Sequence, residues 1–185
     1  TQYPFLDQIH PHWKPDGSGL VFTMGKLKSA RSTLENTETN IFLMNFAGGN
    51  EYSQLTFDKS PKAFPRWSPD SSRIAYAAME NPDYLLGKWD IWVQDLSDDS
   101  EPMRITDELS YDTYPSWSPD GKSLVFQSDR SGNWDIWRVD LDHGGARNSI
   151  QLTRSLADDG CPDWAPDGSR IAFQSDRNSN RFNIW

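Results

Sequence analysis

The sequence predicts an all-β protein made of a repeated unit of four antiparallel strands, and three observations support this prediction. A Trp-x-Pro-Asp string recurs at Trp13, Trp67, Trp117 and Trp164, in steps of about 50 residues. Each string is followed by a short apolar run between turn residues, which is typical of a strand covered on both faces. No segment shows a convincing helical period. Self-similarity at this period indicates a repeat architecture, whereas a catalytic motif would occur once.

The unit is most complete at residues 114–137, where each element can be justified in order. Trp117 ends the first strand. The Ser-Pro-Asp-Gly string at 118–121 forms a tight turn, because proline fits its first central position and glycine tolerates its exit. The apolar run 124–126 is the second strand, and Asp-Ile-Trp at 135–137 begins a third strand of β-branched and aromatic residues. A Leu-Thr pair at 152–153 marks the fourth strand.

Four strands in each repeat of this length describe a β-propeller blade. The predicted fold is therefore a β-propeller of four-stranded antiparallel blades, with three full blades and a partial fourth. The blades span about 1–56, 57–106 and 107–153, and the partial blade about 154–185. An open arc would leave strand edges bare. We therefore expect either a segment of a longer propeller or self-association with a second copy that closes a ring.

Residues that recur at fixed places in the blades are interpreted as structural, and Trp117 is expected to pack between blades. The stretch 129–135 carries oxygen side chains at alternate positions, as calcium loops do. Its glycine is fourth, however, where the EF-hand pattern needs it sixth. We interpret the stretch as a loop that ties down backbone. The structural signature comprises Trp13, Trp67, Trp117, Trp164, Asp120, Asp129, Asp135 and Trp137.

The string WSPDGKSLVFQSDRSGNWDIW resembles the TolB-type β-propeller repeat. This repeat is found in bacterial TolB proteins and in the non-catalytic propellers of prolyl-oligopeptidase-like peptidases. The resemblance covers essentially the whole chain, and its copies agree in order and spacing. It implies the fold strongly and a periplasmic or extracytoplasmic location by family. It implies function weakly, because propellers host many unrelated activities.

The length differences between repeats indicate a binding face. Almost all of them fall between the second and third strands, whose loops emerge on the same face as the connections between blades. Insertions gathered on one face of a repeat protein are typical of a binding surface. We expect a protein or peptide partner on this face, which is mostly acidic with one basic corner. The candidate binding residues are Lys26, Lys28, Arg31, Asp58, Glu80, Asp83, Tyr84, Asp107, Asp112, Asp158 and Asp159.

Composition excludes several classes of function. The formal net charge of −9 and a pI near 4.7 argue against a nucleic-acid partner, which needs a basic surface. No apolar run reaches membrane-spanning length, so no membrane insertion is predicted. A single cysteine, Cys161, forms no internal disulfide and is expected to serve packing. No Gly-x-Ser-x-Gly, phosphate-loop or zinc pattern occurs, and we predict no cofactor and no catalytic residue.

His10 and His12 are weak candidates for a metal site. Residues i and i+2 of a strand point to one side, and the pair resembles a His-x-His element of metal-dependent oligogalacturonate lyases. A metal needs three or four ligands, and the sequence offers no convincing third. Two hypotheses follow. The leading one is a non-catalytic binding scaffold. The alternative is an enzyme fragment, either lyase-like or the gating propeller of a prolyl-oligopeptidase-like peptidase.

Overall fold

The computed structural model describes residues 6–26, 38–47, 49, 51–79, 87–98, 100–142, 145–146, 148–178 and 181–185, and only the backbone at 6–9 and 26. The strands of these residues form four antiparallel sheets arranged one after another along the chain. Within these ranges no helix is long and apolar enough to cross a membrane. The predicted all-β propeller architecture is confirmed.

The first two sheets are simple four-stranded meanders, in which each strand pairs with the next along the chain. Sheet 1 contains β1 (Leu6–Trp13), β2 (Gly19–Lys26), β3 (Glu38–Asn45) and β4 (Glu51–Gln54). Sheet 2 contains β5 (Lys62–Trp67), β6 (Arg73–Met79), β7 (Trp89–Asp95) and β8 (Met103–Arg104).

The third sheet departs from this plan in its outermost strand. It contains β9 (Asp112–Trp117), β10 (Ser123–Ser128), β11 (Asp135–Asp142), β12 (Gly145–Ala146) and β13 (Ile150–Gln151). Both β12 and β13 pair with β11, β12 near its end and β13 near its beginning, so the fourth strand is split in two. Sheet 4 contains β14 (Asp159–Trp164), β15 (Ile171–Ser175) and β16 (Asn183–Ile184).

The first strand of every sheet contains a β-bulge at the same place. The register shifts there, and the residue at the shift has a left-handed backbone. These residues are His10, Phe64, Tyr114 and Cys161, with φ of 56°, 56°, 54° and 48°. The expectation that His10 and His12 point to one side of a regular strand is therefore wrong, because the bulge between them breaks the alternation.

Two apolar clusters lie between neighbouring sheets. One joins sheets 1 and 2 and includes Val21, Ile41 and Tyr76. The other joins sheets 2 and 3 and includes Ile91 and Phe126. Because neighbouring sheets bury the faces that meet in these clusters, the side-by-side stacking of sheets holds the loops at their ends in place.

The signature tryptophans differ in burial according to their place in the arc. Trp117 is 6% exposed, and its indole Nε1–H donates to the Arg66 carbonyl of sheet 2 at 3.2 Å. The Arg73 guanidinium lies 4.6 Å from the centre of the same ring. Trp13 is 60% exposed, since no described sheet packs on its side of sheet 1. The expectation that Trp117 packs between blades is confirmed, whereas Trp13, which shares the signature, is not packed in this way.

Candidate binding face

The described loop face consists of the inter-blade connections 55–61, 105–111 and 152–158 and of residues 129–134 and 176–178, which follow the second strands of blades 3 and 4. The Ser-Asp-Arg string holds these segments together. Asp129 Oδ1 accepts the Tyr111 N–H at 2.8 Å, and Asp176 Oδ1 accepts the Asp158 N–H at 3.0 Å. Each aspartate thus fastens an inter-blade connection to the second strand of the blade that follows it.

Asp135 and its equivalent in blade 2 fasten the outer strands. The Thr153 hydroxyl donates to Asp135 Oδ1 at 3.0 Å and accepts the Ile136 N–H at 2.9 Å. In blade 2 the Arg104 guanidinium donates to buried Asp90 at 2.8 Å. Both carboxylates bind side chains near the fourth strand of their own blade. The Asp-Ile-Trp and Leu-Thr strings therefore recur because they join the third and fourth strands.

The prediction that Asp112 and Asp159 are exposed loop residues is wrong. Both lie at the start of a first strand and have no exposed surface. Arg130 Nη2 donates to Asp112 Oδ2 at 2.6 Å, and Arg177 Nη2 donates to Asp159 Oδ2 at 2.7 Å. Because a buried carboxylate requires a partner, both charges form ion pairs within their own blade and do not contribute to the loop surface.

The remaining described candidates differ in how available they are. Asp107 is exposed and makes no described hydrogen bond or ion pair. Asp58 is exposed but accepts from the buried Lys62 ammonium, and half-buried Asp158 accepts the Trp134 N–H at 3.2 Å. At Lys26 only the backbone is described, at the end of β2. Five candidates lie outside the described residues: Lys28, Arg31, Glu80, Asp83 and Tyr84.

Exposed apolar side chains on the same connections were missed by the sequence analysis. Phe57, Leu109 and Leu156 are 78%, 85% and 101% exposed, one on each inter-blade connection. A signal was present, since both leucines follow the closing threonine of their blade by three positions. Together with acidic neighbours such as Glu108, they give the loop face apolar anchors inside a charged surround.

A cleft of about 820 Å³ opens between blades 2 and 3. It reaches the loop face at Asp107 and Glu108 and is lined deeper by Arg130 and Trp137. Its outer wall is formed by β12, the short strand that is peculiar to the third sheet, with Ala146 in the lining. Its volume lies within the range of ordinary ligand pockets, so a side chain or short segment of a partner fits there.

His12 is engaged in a contact between blades. Its Nδ1 accepts the Trp67 N–H at 3.2 Å, a role that the Ser116 hydroxyl performs for the Trp164 N–H in blades 3 and 4. Burial, and secondly the Arg66 guanidinium, lower the pKa of His10 and of His12 to about 4. Among the described residues, no three His, Cys, Asp or Glu side chains converge as metal ligands. The Nδ1 atom of His12 is occupied by its contact with the Trp67 backbone.

Cys161 lies in the bulge of β14 and is half-buried. Burial raises the pKa of its thiol, although a hydrogen bond with Tyr114 acts in the opposite direction. The thiol is therefore protonated at neutral pH and a poor nucleophile.

The chain matches known proteins in sequence and in structure. The family profile described as the TolB β-propeller domain matches residues 9–150. Among solved structures, TolB from Acinetobacter baumannii superposes with a TM-score of 0.76 and 24% identity, over 97% of this chain and 40% of that one. A TolB-type protein from Agrobacterium tumefaciens gives 0.75 and 26%, over 97% and 57% of the two chains.

A curated relative is an enzyme. The chain is 24% identical over 139 residues to dipeptidyl-peptidase 5 of Porphyromonas gingivalis, which covers 75% of this chain and 20% of that protein. A puromycin-hydrolysing peptidase of Mycobacterium tuberculosis superposes with a TM-score of 0.72 and 19% identity, over 97% of this chain and 30% of that one. The chain thus spans only a fraction of the length of each of these relatives.

Proposed function

Because the chain belongs to the TolB β-propeller domain family, we propose that it is a non-catalytic binding scaffold whose loop face holds a protein or peptide partner. Family membership alone leaves the function open, since propellers serve many purposes. The observation that carries the proposal is the presence of Phe57, Leu109 and Leu156 on the surface, one on each inter-blade connection. Large apolar side chains gathered on one face mark an interaction site.

The face combines the two components of a binding surface. A few well-packed side chains at the centre of an interface supply most of its affinity, and surrounding charges supply orientation and on-rate. Exposed Asp107 and Glu108 stand next to Leu109 at the mouth of the cleft between blades 2 and 3. A peptide that carries an apolar residue beside basic residues would match this arrangement.

The rigidity of the frame supports the same role. The connection before blade 3 is held by Asp129, and the connection before blade 4 is held by Asp176. Loops that are ordered before binding lose less conformational entropy when a partner docks.

A peptide-display selection tests the proposal. Peptides selected from a random library on the immobilised chain are rebound to a Leu109→Ser, Leu156→Ser double variant. The matched control is Lys122→Ser, in an exposed turn on the opposite face. We expect binding to fall at least tenfold in the double variant and to stay unchanged in the control. Peptides that bind the double variant as well as the parent chain, or that lose binding in the control, would overturn the proposal.

The second candidate function is the propeller of a serine peptidase. The match to dipeptidyl-peptidase 5 and the structural likeness to other peptidases favour it. In that case this chain contributes substrate access, and the nucleophile lies in another domain. The reading frame around the coding segment provides the test. A Gly-x-Ser-x-Gly motif in the same frame would support the peptidase, and its absence from the complete frame would reject it.

An extracytoplasmic location is part of the proposal and rests on the resemblance to TolB-type proteins. Fractionation of the host cell with an antibody against the chain tests it. Recovery with cytoplasmic markers alone would contradict the location.

A further inference from the structure

The first strands of the four sheets, β1, β5, β9 and β14, lie side by side along the axis of the arc. The bulges direct aromatic rings toward one another there. The His10 and Phe64 rings lie 4.2 Å apart, and the Phe64 and Tyr114 rings stack at 3.8 Å. We call His10, His12, Arg66, Tyr114, Cys161 and Asp163 the axial cluster. His12, Arg66 and Asp163 follow the bulged residues in their strands, so they lie on the side that leads toward the Trp-x-Pro-Asp turns and away from the loop face.

Arg66 is the cation of this cluster, and it forms no ion pair with a described carboxylate. It is mostly buried, and Nη1 donates to the neighbouring Pro65 carbonyl at 3.2 Å. No described carboxylate lies within ion-pair distance of its guanidinium, which has five donor hydrogens. Asp163 is an electrostatic neighbour, but its Oδ1 accepts the Ser116 hydroxyl at 2.8 Å.

Three other described arginines, whose guanidinium groups reach into the blades, have a counter-ion. Arg104, Arg130 and Arg177 each meet an aspartate with no exposed surface, at 2.8, 2.6 and 2.7 Å. A buried guanidinium without a counter-ion is costly, because desolvation is not offset by a partner.

Arg73 is also partly buried and has no ion pair among the described residues, but it donates to the Gly121 carbonyl at 2.8 Å and lies over the Trp117 ring. The Arg66 guanidinium has only the Pro65 carbonyl as a described hydrogen-bond partner.

The two histidines add neutral donors and acceptors around this charge. His12 Nδ1 accepts a backbone N–H, so its hydrogen sits on Nε2, which becomes a donor. His10 Nδ1 is buried and has no partner among the described residues. Both rings are neutral at pH 7, since burial and then Arg66 lower their pKa to about 4. The Tyr114 hydroxyl and the Cys161 thiol are also neutral, because burial raises the pKa of each.

We propose that the axial cluster binds a carboxylate group, with the Arg66 guanidinium as the counter-charge and the His12 Nε2–H as a second donor. A guanidinium presents two parallel N–H groups that match the two oxygens of a carboxylate. A singly charged group is favoured over phosphate or sulfate, because Asp163 is nearby and the chain has a net charge of −9. The carboxylate belongs to a peptide C terminus or to a small organic acid. This site is separate from the loop face and does not depend on the function proposed for it.

Ring NMR signals of the histidines provide a direct readout, because the chain has only three histidines. The chain is titrated with sodium acetate, with a short peptide that has a free C terminus, and with the same peptide amidated. Sodium chloride at equal ionic strength is the reference. We expect saturable shifts of the His10 and His12 signals with acetate and with the free peptide. The bound anion also raises the pKa of both rings, since a nearby negative charge favours the imidazolium.

Three results decide the matter. Arg66→Gln is expected to abolish the saturable shifts, whereas Arg154→Gln, at an exposed arginine of the loop face, is expected to retain them. Arg66→Lys keeps the charge but loses the two parallel N–H groups, so it should bind the carboxylate about tenfold more weakly. A free peptide that binds much more tightly than acetate identifies a C terminus as the source, and equal affinities identify a small acid.

The parent chain alone can overturn the proposal, even if the Arg66 variants fail to fold. Histidine shifts that saturate with neither acetate nor the free peptide would show that no carboxylate site exists. Shifts of the same size with sodium chloride, or with the amidated peptide as with the free peptide, would show the same.

Discussion

Replacement of Asp112 by alanine is expected to destabilise the chain far more than the loss of an ordinary surface charge. The carboxylate is buried in β9, where Oδ1 accepts the Ser110 hydroxyl at 3.0 Å and Oδ2 accepts Arg130 Nη2 at 2.6 Å. The Arg130 side chain is 13% exposed, and its guanidinium lies 4.9 Å from the centre of the Trp137 ring. Asp112→Ala therefore leaves a cation that is held in place without its counter-charge.

Removal of one partner of a buried ion pair costs about 3–5 kcal/mol. With a urea dependence of about 1–3 kcal/mol per molar for small proteins, the unfolding midpoint should fall by about 1 M or more. Asp112→Asn keeps an oxygen that can accept from Arg130, so it should lose less, about 1.5–3 kcal/mol. Urea unfolding followed by tryptophan fluorescence measures both variants.

Asp107→Asn is the matched control, because it removes the same charge from an exposed position five residues earlier. Its effect should stay within about 0.5 kcal/mol. A second variant, Asp112→Ala with Arg130→Met, should recover part of the loss, since it removes the orphaned cation. An unfolding midpoint for Asp112→Ala equal to that of the control would refute the account of this pair.

Three further outcomes are expected. Trp117→Ala should cost about 3–5 kcal/mol in urea unfolding, whereas Trp13→Ala, at an exposed position, should change it by less than about 1 kcal/mol; equal losses would refute the difference in packing. Gly19→Ala should destabilise by about 1–3 kcal/mol, because its methyl group would collide with the Met44 carbonyl oxygen, and an unchanged midpoint would show that the strands can part. The pKa of His12 is near 4 in the folded chain and 6.5 in model compounds, so its neutral form contributes stability above pH 6.5 that is lost as the pH falls toward 4. His12→Gln, which keeps an acceptor for the backbone N–H, should flatten the fall in melting temperature over this window; an identical pH profile would contradict it.

The blade plan could be predicted because it is repeated and its reasons are local. The turn at Asp120 is an example, since Ser118 Oγ and the Lys122 N–H donate to its Oδ1 at 2.6 and 3.1 Å, all within five residues. The same pair of hydrogen bonds occurs at Asp70 in blade 2, where Ser68 Oγ and the Ser72 N–H are the donors. Hydrogen bonds whose donors and acceptor all lie within one turn can be predicted from the sequence alone.

The role of Asp112 could not be read in this way, because its partner lies 18 residues away. The comparison of repeats nevertheless contained the signal, since Asp159 and Arg177 have the same separation. In blade 2 the corresponding position, five residues before the tryptophan, is Lys62, which is also buried and is paired with Asp58. In blades 2 to 4 this position thus carries a buried charge with a partner, although the sign of the charge varies, and blade 1 has the uncharged Gln8 there. For this reason a count of acidic residues could not separate a binding surface from an internal ion pair.

The axial cluster was obscured by the assumption of a regular strand, although a proline marks the irregularity. Each bulged residue is followed by proline, in the strings HPHW, FPRW, YPSW and CPDW. Proline has no N–H to donate to a ladder and occurs in sheets at edges, at strand starts and at bulges. A proline repeated at one position of four first strands therefore locates four bulges, and the residue before it turns toward the axis with a left-handed backbone. Since a proline is the same in every blade while its neighbours are His10, Phe64, Tyr114 and Cys161, the bulge belongs to the scaffold. The chemistry at the axis is set by the residues on either side of it.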